Sequence, residues 1–180
     1  MWVIAALLCV SLIGVFAVRH FVAQPFHVPS TSMAPTLNAG EVILVDRTAR
    51  ESAERGQVVV VDGRGYFAAS GAENSGYWVK RVVGTGGDTV QCCSESGALL
   101  LNGVELHEPY LAPSQRASAV DFSVQVPAGR LFLLGDNRDA SADSRAHLGD
   151  PGGGMIPEDR VVGRVTRVVW PVPAWREVGP

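Results

Sequence analysis

Residues Trp2 to Val18, WVIAALLCVSLIGVFAV, carry no charged side chain. At about 1.5 Å of rise per helical residue such a run covers about 25 Å, a short membrane span. It divides the chain, because whatever folds in water must begin after it. A cleaved signal peptide would place basic residues ahead of the run and small residues at a cleavage point. Here only Met1 precedes it, and Arg19-His20-Phe21 follows. The expected organisation is an uncleaved anchor with its juxtamembrane segment at residues 1–23, and one domain at residues 24–180. Arg19 and His20 beyond the run, taken by the positive-inside rule alone, weakly favour a cytoplasmic domain.

After the anchor no helical periodicity of useful length appears. Short β-branched, apolar segments recur between turns: Glu41–Arg47, Gln57–Asp62, Tyr77–Gly84, Arg130–Asp136 and Val161–Trp170. Several are apolar at successive positions, as strands buried on both faces are. Asn102-Gly103 between apolar stretches predicts a tight hairpin. The expected fold is mostly β, a single antiparallel β domain behind one transmembrane helix. Fourteen arginines and one lysine are scattered without forming a run, so no nucleic-acid footprint is present. Cys92 and Cys93 are adjacent, and a disulfide between neighbours is strained, so they are not expected to pair.

Three stretches carry candidate chemistry. Pro29-Ser30-Thr31-Ser32-Met33-Ala34-Pro35 places two serines two residues apart between prolines. In an extended loop that spacing returns both hydroxyls to one side. A serine nucleophile needs a base and oxyanion donors. The four histidines, His20, His27, His107 and His147, lie in no distinctive context. Lys80, the only lysine of the chain, sits beside Trp78, Val79, Val82 and Val83. Desolvation by apolar walls favours a neutral amine able to act as a base, which arginine cannot become. Set against this, an ordinary lysine on a strand lies on its solvent face. Gly135 to Gly149 is dense in Asp, Arg, Asn and Ser. Tested as a calcium loop from Asp139 it lacks the turn glycine, since Ser144 stands there, so no metal is expected. A network of Asp–Arg hydrogen bonds ordering a loop fits it better.

In this order, the anchor, PSTSMAPTL, GEVILVDR, YWVKRVVGTGGD and GDNRDASADSR resemble the successive motifs of bacterial type I signal peptidases. One departure is Thr85-Gly86-Gly87, where the family commonly has proline before the second glycine. The resemblance implies Ser32 as nucleophile and Lys80 as general base, with the Ser30 hydroxyl and the Ser32 backbone N–H as the oxyanion hole. It further implies that Ser141 orients the lysine amine, and that Asp143 and Arg145 form a structural ion pair nearby. Phe26, Val28, Pro29 and Val79 match positions lining shallow pockets for small side chains. The function implied is a membrane-bound serine endopeptidase that removes signal peptides after small residues, Ala-x-Ala type, without a cofactor. Its partners would be preprotein signal peptides, the lipid bilayer and the protein export machinery, with the catalytic domain on the extracytoplasmic side of the cell membrane. Two other readings stand beside it: a self-cleaving repressor-type Ser-Lys peptidase, for which the chain offers no DNA-binding segment, and an inactive anchored β module serving as a binding platform. Trp170, Trp175, Phe21 and Phe26 suit a membrane interface, where amphipathic rings are favoured, or equally the core.

Overall fold

Valines dominate the central strands because those strands are covered on both sides. The computed structural model describes residues 2, 11, 14, 22–50, 53–67, 76–113, 115–150 and 152–179. Among them are β1 (Ala23–His27), β2 (Val42–Asp46), β3 (Val58–Asp62), β4 (Tyr77–Thr85), β5 (Thr89–Cys92), β6 (Leu99–Leu101), β7 (Val104–Glu105), β8 (Phe122–Gln125), β9 (Arg130–Leu134), β10 (Ile156–Pro157), β11 (Val161–Trp170) and β12 (Arg176–Glu177). The larger sheet runs β1-β2-β11-β3-β4-β9-β10, with β12 also paired to β11. A smaller sheet runs β7-β6-β5-β8. The pairings are antiparallel throughout. The run Trp2–Val18 lies outside the described residues except at Trp2, Ser11 and Gly14, and among the described residues no helix is long and apolar enough to cross a membrane.

Strand β3 shows how sequence becomes packing. Val58 and Val60 enter one buried cluster with Met33, Leu37, Ile43 and Val45. Val59 and Val61 enter a second with Trp78, Val82, Leu131 and Leu133. Side chains alternate across a strand, so two apolar clusters require four consecutive valines. β9 repeats the pattern, sending Phe132 and Leu134 into a third cluster with Val83, Val90 and Leu99. In β11 the pairing with β2 shifts between Val165 and Arg167. The irregularity changes the phase of the alternation, and Val165 and Val168 are therefore both buried.

The predicted hairpin is present between β6 and β7, with Asn102 and Gly103 both at positive φ. The five strands expected from apolar runs correspond to β2, β3, β4, β9 and β11. β1, β5, β8, β10 and β12 are short or carry polar residues, and their apolar content does not announce them. The cysteine expectation fails, because Cys92 and Cys93 are joined by a disulfide. The β5 ladder ends at Cys92, which releases Cys93 from the alternation that would point neighbouring side chains apart.

Asp88 ties the two sheets together at the turn from β4 to β5. It is 3 % exposed and accepts from Thr85 N (2.8 Å), Thr85 Oγ1 (3.0 Å), Arg55 Nε (2.8 Å) and Asn102 Nδ2 (2.9 Å). Burial alone raises its carboxyl, but the hydrogen bonds from Thr85 and Asn102 and the Arg55 charge outweigh that and hold it below the ordinary carboxylate range. A depressed folded value means that the stabilisation is complete above the unfolded value of about 4 and is lost as pH falls through the lower folded one. Asp88→Asn is expected to cost about 1–3 kcal/mol at pH 7, the range for leaving buried donors unmatched. Urea unfolding at pH 7 and at lower pH should show this difference narrowing on the acid side.

Candidate active site

The loop between β1 and β2 is pinned before it reaches any chemistry. Val28 N donates to Glu41 O at 2.9 Å and Gly40 N to Val28 O at 2.9 Å, closing its neck. Val28, Met33 and Leu37 are buried in the first cluster. From the far end of the chain, Arg176 donates to Thr36 O at 2.7 Å and to the Glu41 carboxylate at 2.8 and 2.9 Å. Between these anchors residues 32–36 form turns, not the extended segment that the two-residue serine spacing suggested. The two hydroxyls nevertheless meet, with Ser30 Oγ donating to Ser32 Oγ at 3.2 Å. A bend at Ser30 and Thr31, leading into the turn, brings them together.

β4 supplies the amine. Lys80 is paired with Val59 across the ladder and is 0 % exposed. Its Nζ donates to Ser32 Oγ at 3.1 Å and to Val79 O at 3.0 Å, and lies 5.3 Å from the centre of the Trp78 ring. Burial disfavours the charged form of an amine, and a neutral amine at this distance from a hydroxyl can take its proton.

The neighbouring Arg81 is 1 % exposed and grips Asp136 with both arms, Nε to Oδ1 at 2.9 Å and Nη2 to Oδ2 at 2.7 Å. Asp136 also accepts from the hydroxyl of Thr36, on the serine loop, and Arg81 donates to Gly56 O. Consecutive residues of one strand thus hold two points of the same loop, four residues apart. Sequence reasoning missed this clamp, although an arginine inside an apolar strand needs a buried partner and the acidic cluster at residues 135–150 was the place to seek one.

Residues 135–138 back the serine loop. Asn137 N donates to Ser32 O at 3.0 Å, and its side-chain Nδ2 donates to Thr31 O at 3.2 Å. Asp143 and Arg145 form a two-armed ion pair (2.9 and 2.8 Å), and Asp143 also accepts from Gly135 N at 3.0 Å. Ser141 Oγ is buried with no hydrogen-bond partner among the described residues, against the same face of Gly135 that meets the Ser32 carbonyl. Phe26, Val28, Pro29 and Val79 all line one narrow cleft, with Ser30 and Ser32 in its wall and His27, Met33, Val60 and Tyr77 completing it. Phe26 meets Tyr77 edge to face at 5.6 Å between ring centres. Two roomier grooves elsewhere, one beside Arg55, Arg164 and Arg167, the other beside Arg50, Glu158 and Asp159, contain no nucleophile–base pair among their lining residues. Trp170 and Trp175 are 58 % and 64 % exposed, so they do not fill the core; Phe26 is half-buried, and Phe21 lies outside the described residues.

Comparison with known proteins gives a consistent family. The family model described as "Signal peptidase, peptidase S26" matches residues 1–170. The chain is 36% identical to the probable signal peptidase I of Mycobacterium leprae, covering 97% of this chain and 78% of that protein. It is 38% identical to the signal peptidase I of Bacillus licheniformis, over 94% and 88% of the two chains. A solved structure of a signal peptidase I from Enterococcus faecalis matches with a TM-score of 0.47 at 26% identity, covering 63% of this chain and 96% of that one.

Gly135 is where the geometry is least forgiving. A Cβ there would overlap both Ser141 Oγ and the Ser32 carbonyl oxygen. Gly135→Ala is expected to leave the circular dichroism of the fold intact while lowering turnover by about 10- to 100-fold, as displacing reacting groups by about 1 Å does.

Proposed function

This chain belongs to the signal peptidase family, peptidase S26, and acts as a serine endopeptidase that removes signal peptides; we propose that Ser32 is its nucleophile and Lys80 its general base. That membership sets aside the repressor-type and inactive-module readings. The observation that carries the assignment is the contact of 3.1 Å between a fully buried lysine amine and a serine hydroxyl at the edge of the cleft.

The neutral amine of Lys80 takes the Ser32 proton as Oγ attacks the scissile carbonyl. The Ser32 backbone N–H and the Ser30 hydroxyl stabilise the oxyanion, and Lys80 returns the proton to the leaving amine. A water activated by the same amine then releases the signal peptide from the acyl-enzyme. The buried Ser141 hydroxyl makes no hydrogen bond here and would orient the amine by turning toward it during these steps, and the Asp143–Arg145 pair fixes the turn that carries it. Phe26, Val28, Pro29 and Val79 confine the residues before the scissile bond; the narrowness of their cleft supports a preference for small side chains of the Ala-x-Ala kind.

The anchor reading rests on the uncharged run Trp2–Val18; the extracytoplasmic placement of the catalytic domain rests on the family resemblance and its exported substrates, against the weak opposing charge of Arg19 and His20. The exposed Trp170 and Trp175 flank Val172, itself 64 % exposed, in an apolar surface suited to the bilayer interface. Removal of residues 1–23 is then expected to slow processing of a membrane-borne preprotein far more than cleavage of a short soluble peptide. Equal losses would assign the segment to folding instead.

Ser32→Ala and Lys80→Ala are each expected to abolish processing of a purified preprotein in detergent, and the double variant to be no worse than either, because the pair acts as one unit. Lys80→Arg should fail as well, since a guanidinium stays protonated. Appreciable cleavage by any of the three removes the assignment.

A further inference from the structure

The chain between β7 and β8 leaves the small sheet and returns to lie against the turn after β9 and the Arg81 guanidinium. Glu108 and Gln115 reach residues 136–138, and Tyr110 reaches Arg81. Glu108 takes Arg138 in a two-armed pair, with side chains 5 % and 1 % exposed. Tyr110 lays its ring against the Arg81 guanidinium, 3.8 Å from the ring centre, and its hydroxyl donates to Glu108 Oε1 at 2.7 Å. In the orientation that satisfies both ends of its amide, Gln115 donates to Asp136 O at 3.0 Å and accepts from Arg138 N at 2.7 Å. Arg138 in turn donates to Gly135 O at 3.0 Å and to Ala117 O at 2.9 Å.

These contacts converge on one residue. Arg81 holds Asp136, which holds Thr36; Arg138 holds Gly135, which abuts Ser32 and Ser141. Tyr110 touches Arg81 directly and reaches Arg138 through Glu108, so it joins both lines of support. We propose that Tyr110, braced by Glu108, is a positioning residue that fixes the 135–138 turn against β4 and thereby holds Ser32 within reach of Lys80. It does not touch the reacting atoms, and the proposal rests on the Ser32–Lys80 assignment above.

The chemistry suits a fixed brace. A planar guanidinium stacked on an aromatic ring keeps its in-plane donors for a carboxylate, so Arg81 serves Tyr110 and Asp136 at once. Burial, with the Glu108 carboxylate beside it, pushes the Tyr110 hydroxyl far above the ordinary phenol range. It therefore remains a donor across the working pH.

Kinetics of the full chain in detergent with a short peptide substrate test this, using Tyr110→Ala and Tyr110→Phe, with Ser32→Ala and Lys80→Ala beside them and thermal unfolding recorded for each. Tyr110→Ala is expected to lower kcat by about 10- to 100-fold with KM within about twofold, the signature of misplaced reacting groups in a site that still binds. Tyr110→Phe keeps the ring on Arg81 but gives up the hydroxyl's hold on Glu108, so it should recover only part of that loss. An unchanged kcat in Tyr110→Ala, with Ser32→Ala and Lys80→Ala inactive, overturns the positioning role alone. So does a kcat loss in Tyr110→Ala that disappears when assayed well below the variant's unfolding temperature. Retained activity in Ser32→Ala or Lys80→Ala overturns the catalytic assignment and this role with it.

Discussion

Two basic side chains, Lys80 and Arg81, stand side by side in β4 at positions that water does not reach, and the site is organised by how each meets that constraint. A guanidinium cannot shed its proton, so Arg81 must be matched, and it is: by a two-armed carboxylate, a backbone carbonyl and an aromatic face. An amine has another way out. Two of the Lys80 contacts are neutral oxygens, Ser32 Oγ and Val79 O, and the cheaper state for such a group is the uncharged one. Arg81 anchors the serine loop, and the adjacent lysine is left as the proposed base.

The loop itself has little regular structure, and its shape is imposed from outside. Arg176 from the C-terminal strand, Asp136 and Asn137 from the turn after β9, and Lys80 from β4 each bind a different point of it. Met33 and Leu37 add apolar anchorage from below. Such convergence from distant parts of the chain suits a site whose catalytic power comes from fixed relative positions. The further bracing of Arg81 and Arg138 by Tyr110 and Glu108 extends the same principle one layer outward.

Much of this was legible in the sequence for identifiable reasons. Strands β2, β3, β4, β9 and β11 announce themselves because double-sided burial demands runs of Val, Leu and Ile. Ser30, Ser32 and Lys80 stand out by spacing and by the rarity of lysine, and the structure brings all three to one cleft or its edge. What escaped notice depends on pairings between distant residues. Nothing local in His107-Glu108-Pro109-Tyr110 says that a carboxylate and a ring will close over two arginines, and nothing in Cys92-Cys93 says that the strand ends between them. The extended conformation that the Ser30–Ser32 spacing suggested gave way to a bend and then turns at residues 32–36, because the ends of the loop are pinned in one neck and the chain between must fold back.

Because Lys80 is the only lysine, isotope-labelled lysine introduces a single side-chain amine signal into the protein. Its chemical shift followed by NMR across a pH titration reports the protonation of the proposed base and nothing else. A deprotonation midpoint well below the value of about 10.4 for a free lysine, displaced further when Ser32 is replaced by alanine, is the result expected of a buried amine facing a hydroxyl. A signal that stays that of an ammonium ion up to about pH 10, indifferent to Ser32, would contradict the account.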